Sequence, residues 1–107
     1  PDPATVGGLT ETMRIADRAE ENYMPLSPHN VCSPVGTMAC VHLGAATPNF
    51  DLLEYHALEV DWWDDLLARD EPLIEDGRID VPEAPGLGIE LDMDVVEEHL
   101  LEGTDGF

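Results

Sequence analysis

Apolar positions along the chain switch between two spacings, and the switches mark its elements. Leu9, Met13, Ala16, Ala19 and Tyr23 recur at steps of three and four, which predicts a helix with one buried face. Arg14, Asp17, Arg18 and Glu21 fall on its polar side, Thr10 is the expected cap, and Glu11 lies in the first turn. Met24 to His29 then alternates, setting Pro25, Ser27 and His29 on one side of a short strand. Ser33-Pro34 opens a second helix, with Ser as cap and Pro at the first helical position. Its body, Val35 to Ala46, is apolar on nearly all sides and rich in small residues, so it should lie buried close against a sheet. Thr47-Pro48-Asn49 breaks it. Phe50 to His56 returns to the two-residue period, with Leu52, Glu54 and His56 on one face and Leu53 and Tyr55 on the other.

Pro1 to Val6 is expected to be a strand end running into a loop, with Gly7-Gly8 as a tight turn. The order strand end, helix, strand, helix, strand predicts an α/β arrangement of parallel strands joined by right-handed crossovers. Beyond His56 the alternation stops. Trp62 and Trp63 belong to an amphipathic segment packed on the outside or beneath a second domain. Asp76-Gly77, between the apolar residues of Leu73 to Val81, signals a tight hairpin, and Pro82 to Gly88 is a Pro/Gly-rich turn. Asp94 is the expected cap of a last short helix that Gly103 ends. The chain thus divides at residue 56: 1–56 carries the β/α units, and 57–107 a separate closing segment.

A chain of 107 residues, 43% hydrophobic, can bury a modest core, but the few strands visible do not complete a sheet. It is therefore expected to be the C-terminal piece of a larger protein. The charge is extreme: four Arg and no Lys against 24 Asp and Glu, a net −20. Such a surface repels nucleic acid and anionic membranes, so neither is expected as a partner. Regular apolar periodicity argues against disorder. The charge is instead that of a folded protein from a high-salt cytoplasm, where self-repulsion is screened. No apolar run approaches the roughly 18 residues of a membrane span and no signal peptide is visible, so a cytoplasmic location is expected. Gly7-Gly8 does not extend to a nucleotide-binding Gly-x-Gly-x-x-Gly pattern. Cys32 and Cys40, eight apart in an apolar stretch, suit buried thiols better than a disulfide or a zinc site.

The candidate chemistry is an ordered trio at three successive strand ends: Asp2, His29 and Glu54. A histidine at a strand end is, alone, a hydrogen-bonded structural residue. With a carboxylate on the neighbouring strand to fix its tautomer, its other nitrogen can take a proton. Glu54, turned inward, would be costly if idle. His42 reads as a packed or rim residue and His99 as a surface residue. His56 shares Glu54's face but lies towards the end of the strand, and stays outside the catalytic set.

The ordered motifs Pro1-Asp2-Pro3-Ala4-Thr5-Val6-Gly7-Gly8, Ser27-Pro28-His29-Asn30-Val31-Cys32-Ser33-Pro34-Val35-Gly36, Thr47-Pro48-Asn49-Phe50 and Leu53-Glu54-Tyr55-His56, closed by Asp76-Gly77 and Pro82 to Gly88, span nearly the whole chain. Together they resemble the C-terminal part of the mandelate racemase/muconate lactonizing enzyme branch of the enolase superfamily, most of all its sugar-acid dehydratases. The resemblance implies the last strands and helices of a (β/α) TIM-type barrel, followed by the segment that returns to a capping domain. It implies that Asp2 and His29 form a dyad, with His29 abstracting the proton α to a carboxylate, and that a protonated Glu54 hydrogen-bonds the resulting enediolate. It further implies Mg²⁺ held by acidic residues on earlier strands, so that no metal ligand falls in this chain. The implied reaction is loss of a β-hydroxyl from a small-molecule sugar acid to give a 2-keto-3-deoxy acid, in an enzyme that forms homo-oligomers when full length. Residues 1–107 alone are expected to be inactive. Asn30 and Tyr55 are candidates either for lining the substrate pocket or for structural roles. The alternatives are a racemase, epimerase or cycloisomerase of the same superfamily, or, in a different class, a stand-alone acidic module that binds cations or a partner protein.

Overall fold

The computed structural model describes residues 1–56 and 60–104. Its elements are α1 (Pro3–Val6), α2 (Gly8–Glu20), α3 (Pro34–Ala46), a 3₁₀ turn at Asp64–Leu66 and α4 (Met93–Glu98). The first residues therefore form a helical turn rather than a strand end. Asp2 is its N-cap, accepting from the Ala4 N–H at 2.9 Å, and Pro3 takes the first helical position, where a missing N–H costs nothing. Gly7, at φ +114°, ends α1 and opens α2, a backbone conformation that a Cβ would strain. That moves the start of α2 ahead of Thr10, which caps nothing. Thr12 and Ala16 are the buried residues of α2, whereas Leu9 is 39% exposed and Tyr23, just past the helix, is 98% exposed.

Among the described residues no β-ladder extends beyond isolated bridges, so the expected strands at 24–29 and 50–56 do not form as such. The two segments still run side by side in parallel, through a bridge between Leu26 and Phe50. Leu26 N–H donates to Asn49 O, Asp51 N–H to Leu26 O and Glu54 N–H to Pro28 O. Pro25 and Pro28 carry no N–H, so the ladder lacks donors at both positions. The alternation itself holds: Leu26, Pro28 and Asn30 are buried, and Pro25, Ser27 and His29 are exposed. His29 N–H donates to Pro1 O at 2.9 Å, which brings the start of the chain beside the same edge.

Helix α3 begins at Pro34 after Ser33, as the sequence predicts, and buries Thr37, Met38, Cys40, Val41 and Leu43. Its small residues permit close approach: a Cβ on Gly44 would come within 2.9 Å of the Phe50 ring. Met38 and Val41 join Leu67 and Leu73 in the buried core, flanked by Leu53, Ile74 and Ile79. Residues on both sides of position 56 share this core. Burial raises the thiol of Cys40 to about 11; Cys32 and Cys40 are both free thiols.

The second half packs onto α3. His42 Nε2 lies 3.0 Å from Leu87 O, tying the 82–88 turn to the helix. Residues 66–68 and 90–92 pair antiparallel around a Leu67–Leu91 bridge. Asp76 (φ +49°) and Gly77 (φ +73°) form the two-residue hairpin loop that the sequence predicts, closed by reciprocal bonds between Glu75 and Arg78. The cap of α4 is Asp92, not Asp94: its Oδ1 accepts from the N–H groups of Asp94 and Val95. The helix stops at Glu98, ahead of Gly103. His99 follows it, exposed and stacked on Trp62 with ring centroids 4.1 Å apart. Among the described residues no helix is long and apolar enough to cross a membrane.

Candidate active site

The backbone register of the paired segments and the cap of α1 decide which side chains meet. The cap bond to Ala4 occupies Asp2 Oδ1 and fixes the carboxylate, aiming Oδ2 at His29 Nδ1, 3.2 Å away. His29 projects outward between buried Pro28 and buried Asn30, and its ring is about half exposed. Its second nitrogen, Nε2, faces Glu54 Oε2 at 3.9 Å, beyond hydrogen-bond range. Glu54 arrives from the neighbouring segment because its N–H donates to Pro28 O. The residues singled out in the sequence, Asp2, His29 and Glu54, are therefore brought to one edge in that order.

A fourth residue joins them. His56 Nε2 lies 2.8 Å from Glu54 Oε1, and the His29 and His56 rings stand 6.2 Å apart with the carboxylate of Glu54 contacting both. The signal for His56 was its two-residue step from Glu54, which keeps both on one face. The hydrogen bond from His56, foremost, holds the Glu54 carboxyl below its usual range. The positive charges available on His56 and His29 and the Asn30 N–H act in the same direction, while partial desolvation opposes them. The Glu54 side chain is 40% exposed at this edge.

Asn30 sits elsewhere. It is 1% exposed, and its amide exchanges hydrogen bonds with the Thr37 hydroxyl at 3.1 and 3.3 Å. Of the two roles open to it, this geometry supports the structural one, anchoring the segment behind His29 to α3. Tyr55 turns to the opposite side from Glu54, into a groove of about 630 Å³ lined also by Val41, Phe50, Leu53, Ile74 and Ile79. Burial, and then the nearby Asp64, push its phenol up. Among the described residues no group of three or more His, Cys, Asp and Glu converges as a metal site. The row of Asp2, His29, Glu54 and His56 does not fit Mg²⁺.

Asp2 thus meets one nitrogen of the His29 imidazole and Glu54 stands opposite the other, on an edge built by parallel segments between helices. The chain belongs to the enolase C-terminal domain-like family, whose pattern matches residues 1–95, and is the C-terminal enolase-like part of a mandelate racemase/muconate lactonizing enzyme-type member of that superfamily. Its fold is accordingly that of the enolase C-terminal domain, a TIM-barrel-type domain. It is 50% identical to the D-xylonate dehydratase of Haloferax volcanii over 100% of this chain and 26% of that protein. It is 31% identical to the D-gluconate dehydratase of Thermoproteus tenax over 98% of this chain and 21% of that protein. A mandelate racemase/muconate lactonizing enzyme-like protein from Rubrobacter xylanophilus superposes with a TM-score of 0.86 at 48% identity, covering 92% of this chain and 25% of that one. The chain spans about a quarter of the length of the relatives it matches.

Proposed function

We propose that the protein containing this chain is a sugar-acid dehydratase that removes the proton α to a carboxylate and eliminates the β-hydroxyl, giving a 2-keto-3-deoxy acid. The observation that carries this reading is the Asp2–His29 contact, which leaves Nε2 on the side of Glu54, in a chain whose relatives include D-xylonate and D-gluconate dehydratases. Asp2 accepts from Nδ1–H and so keeps the lone pair on Nε2, the atom that takes the α-proton. Glu54 receives the substrate carboxylate, and its hydrogen bond to that group matters most once the enediolate has formed and charge has built up there. Residues 1–56 supply the last β/α units of the barrel in this reading, and 57–107 close back towards a capping domain. Any Mg²⁺ is held by residues outside this chain. The excess of carboxylates suits a high-salt cytoplasm, and the substrate is a small sugar acid. The full-length protein forms a homo-oligomer.

The test is turnover of a panel of aldonates (xylonate, gluconate, galactonate, arabinonate) by the full-length protein, with 2-keto acid as readout and α-proton exchange in D₂O followed alongside. At least one aldonate should be dehydrated, and His29→Asn should lower kcat/KM by about 10²–10⁴-fold with the fold intact by circular dichroism. Exchange without elimination would point to a racemase or epimerase, and neither reaction with any aldonate would overturn the reading.

A further inference from the structure

We propose that His56 is a positioning residue of this edge: it holds on Nε2 the proton that Glu54 must acquire before it can donate to a bound carboxylate. The inference deepens the dehydratase reading and rests on it. The two oxygens of Glu54 have different neighbours. Oε1 is 2.8 Å from His56 Nε2, a charge-assisted hydrogen-bond distance, while Oε2 is turned to His29 at 3.9 Å, where a substrate group can enter. An ionised carboxylate only accepts hydrogen bonds. To donate to the substrate it needs a proton, and the donor atom beside it, 2.8 Å away, is His56 Nε2. His29 is a poor source: its Nδ1 is committed to Asp2, and its Nε2 must be empty to act as base.

The transfer balances without any co-reactant. The proposed resting arrangement is the one that this contact favours, with Glu54 as the carboxylate and His56 Nε2–H donating to Oε1. An anionic substrate beside Glu54 places a second negative charge there and favours the protonated acid. The Nε2–H bond breaks, an Oε1–H bond forms, and His56 becomes neutral with the net charge of the pair unchanged. A half-turn about the soft terminal torsion of Glu54 then presents the new O–H to the substrate. Release of product reverses the sequence. The groups facing this pair are His29 from the 24–30 segment and, behind it, Asp2 from the start of α1; among the described residues the Arg–carboxylate pairs, Arg14–Glu11 and Arg18–Glu21, lie on α2 and the turn that follows it. On this proposal activity requires that Glu54 and His56 share one transferable proton while His29 Nε2 carries none.

The experiment is the pH profile of kcat/KM for full-length wild-type protein and His56→Gln on the aldonate that wild type turns over. Gln can still donate to Glu54 Oε1 but has no proton to transfer. The alkaline limb should move down by about one pH unit or more, lowering kcat/KM about tenfold or more at about pH 8 with KM nearly unchanged. A wild-type profile in His56→Gln, or a uniform loss with the limb unmoved, overturns the proposal and leaves the dehydratase reading standing. Wild type inactive on every aldonate overturns both. If His56→Gln does not fold, ¹⁵N spectra of histidine-labelled wild type with the hydroxamate of its aldonate decide. His56 should pass from imidazolium to neutral imidazole on binding, and an unchanged charge state overturns the proposal.

Discussion

Asp2 serves two partners with two oxygens, and the two services can be separated. Oδ1 caps α1 and Oδ2 orients His29. Asn caps helices about as well as Asp, so Asp2→Asn should change stability by only a few tenths of a kcal/mol. Its amide N–H₂ would face Nδ1, however, and favour the tautomer with the proton on Nε2, leaving the base occupied. We therefore expect kcat/KM of the full-length protein to fall by about 10²–10⁴-fold in Asp2→Asn. Asp2→Ala should lose as much activity and, in a urea titration, about 1 kcal/mol of stability as well. Full activity in Asp2→Asn would show that the carboxylate does not set the tautomer. The pairing of Asp2 with His29 was legible because both stand at element ends in register, and because the ordered motifs resemble a known family. The cap was legible too, since Asp-Pro is a cap followed by a first helical residue, but a strand end was expected there instead. The His56–Glu54 contact was not legible for a physical reason: alternation shows which side a residue faces but not how far an extended segment keeps its direction.

At the scale of elements, α3 was read correctly because its signals agree. Ser33-Pro34 fixes the start, and apolar residues on all sides demand burial. The cap of α4 was misplaced by two residues: Asp94 was expected, and the N–H groups of Asp94 and Val95 reach Asp92 instead. The missing strands have a physical cause, because alternation reports exposure while prolines remove ladder donors. The small residues of α3 make a prediction of their own. A Cβ on Gly36 would lie 2.4 Å from Cys32 Cβ, an atom fixed to the loop that follows His29 and Asn30. Gly36→Ala gains at most about 1 kcal/mol of helix propensity. Forcing a methyl group into a packed site costs about 1–3 kcal/mol, so a net loss of stability is expected in a urea titration. The displaced loop should also lower kcat more than it changes KM, since it directly follows His29, the proposed base. A more stable Gly36→Ala would mean that the loop yields freely.

For the whole molecule, the dominant fact is 24 acidic residues against four Arg. Among the described residues the Arg–carboxylate pairs Arg14–Glu11 and Arg18–Glu21 are largely exposed, and such pairs contribute about 0.3–0.5 kcal/mol each at best. The remaining carboxylates repel one another. Hydrophobic burial must offset that repulsion, and the core around Met38, Val41, Leu67 and Leu73 is small and shared by both halves of the chain. Screening therefore has unusual leverage. Raising KCl from about 0.1 M to about 1 M shortens the Debye length from about 10 Å to about 3 Å, less than most spacings between surface charges. The melting temperature of the full-length protein should rise steeply over that range and then flatten, since repulsion once screened cannot be screened further. Replacing a patch of exposed acids such as Glu97, Glu98 and Glu102 with Gln should raise the melting temperature at low KCl and leave it nearly unchanged at high KCl. A melting temperature independent of KCl, or one that the Gln variant shifts equally at both concentrations, would show that the carboxylates are not held together against their own field and that the charge needs another explanation.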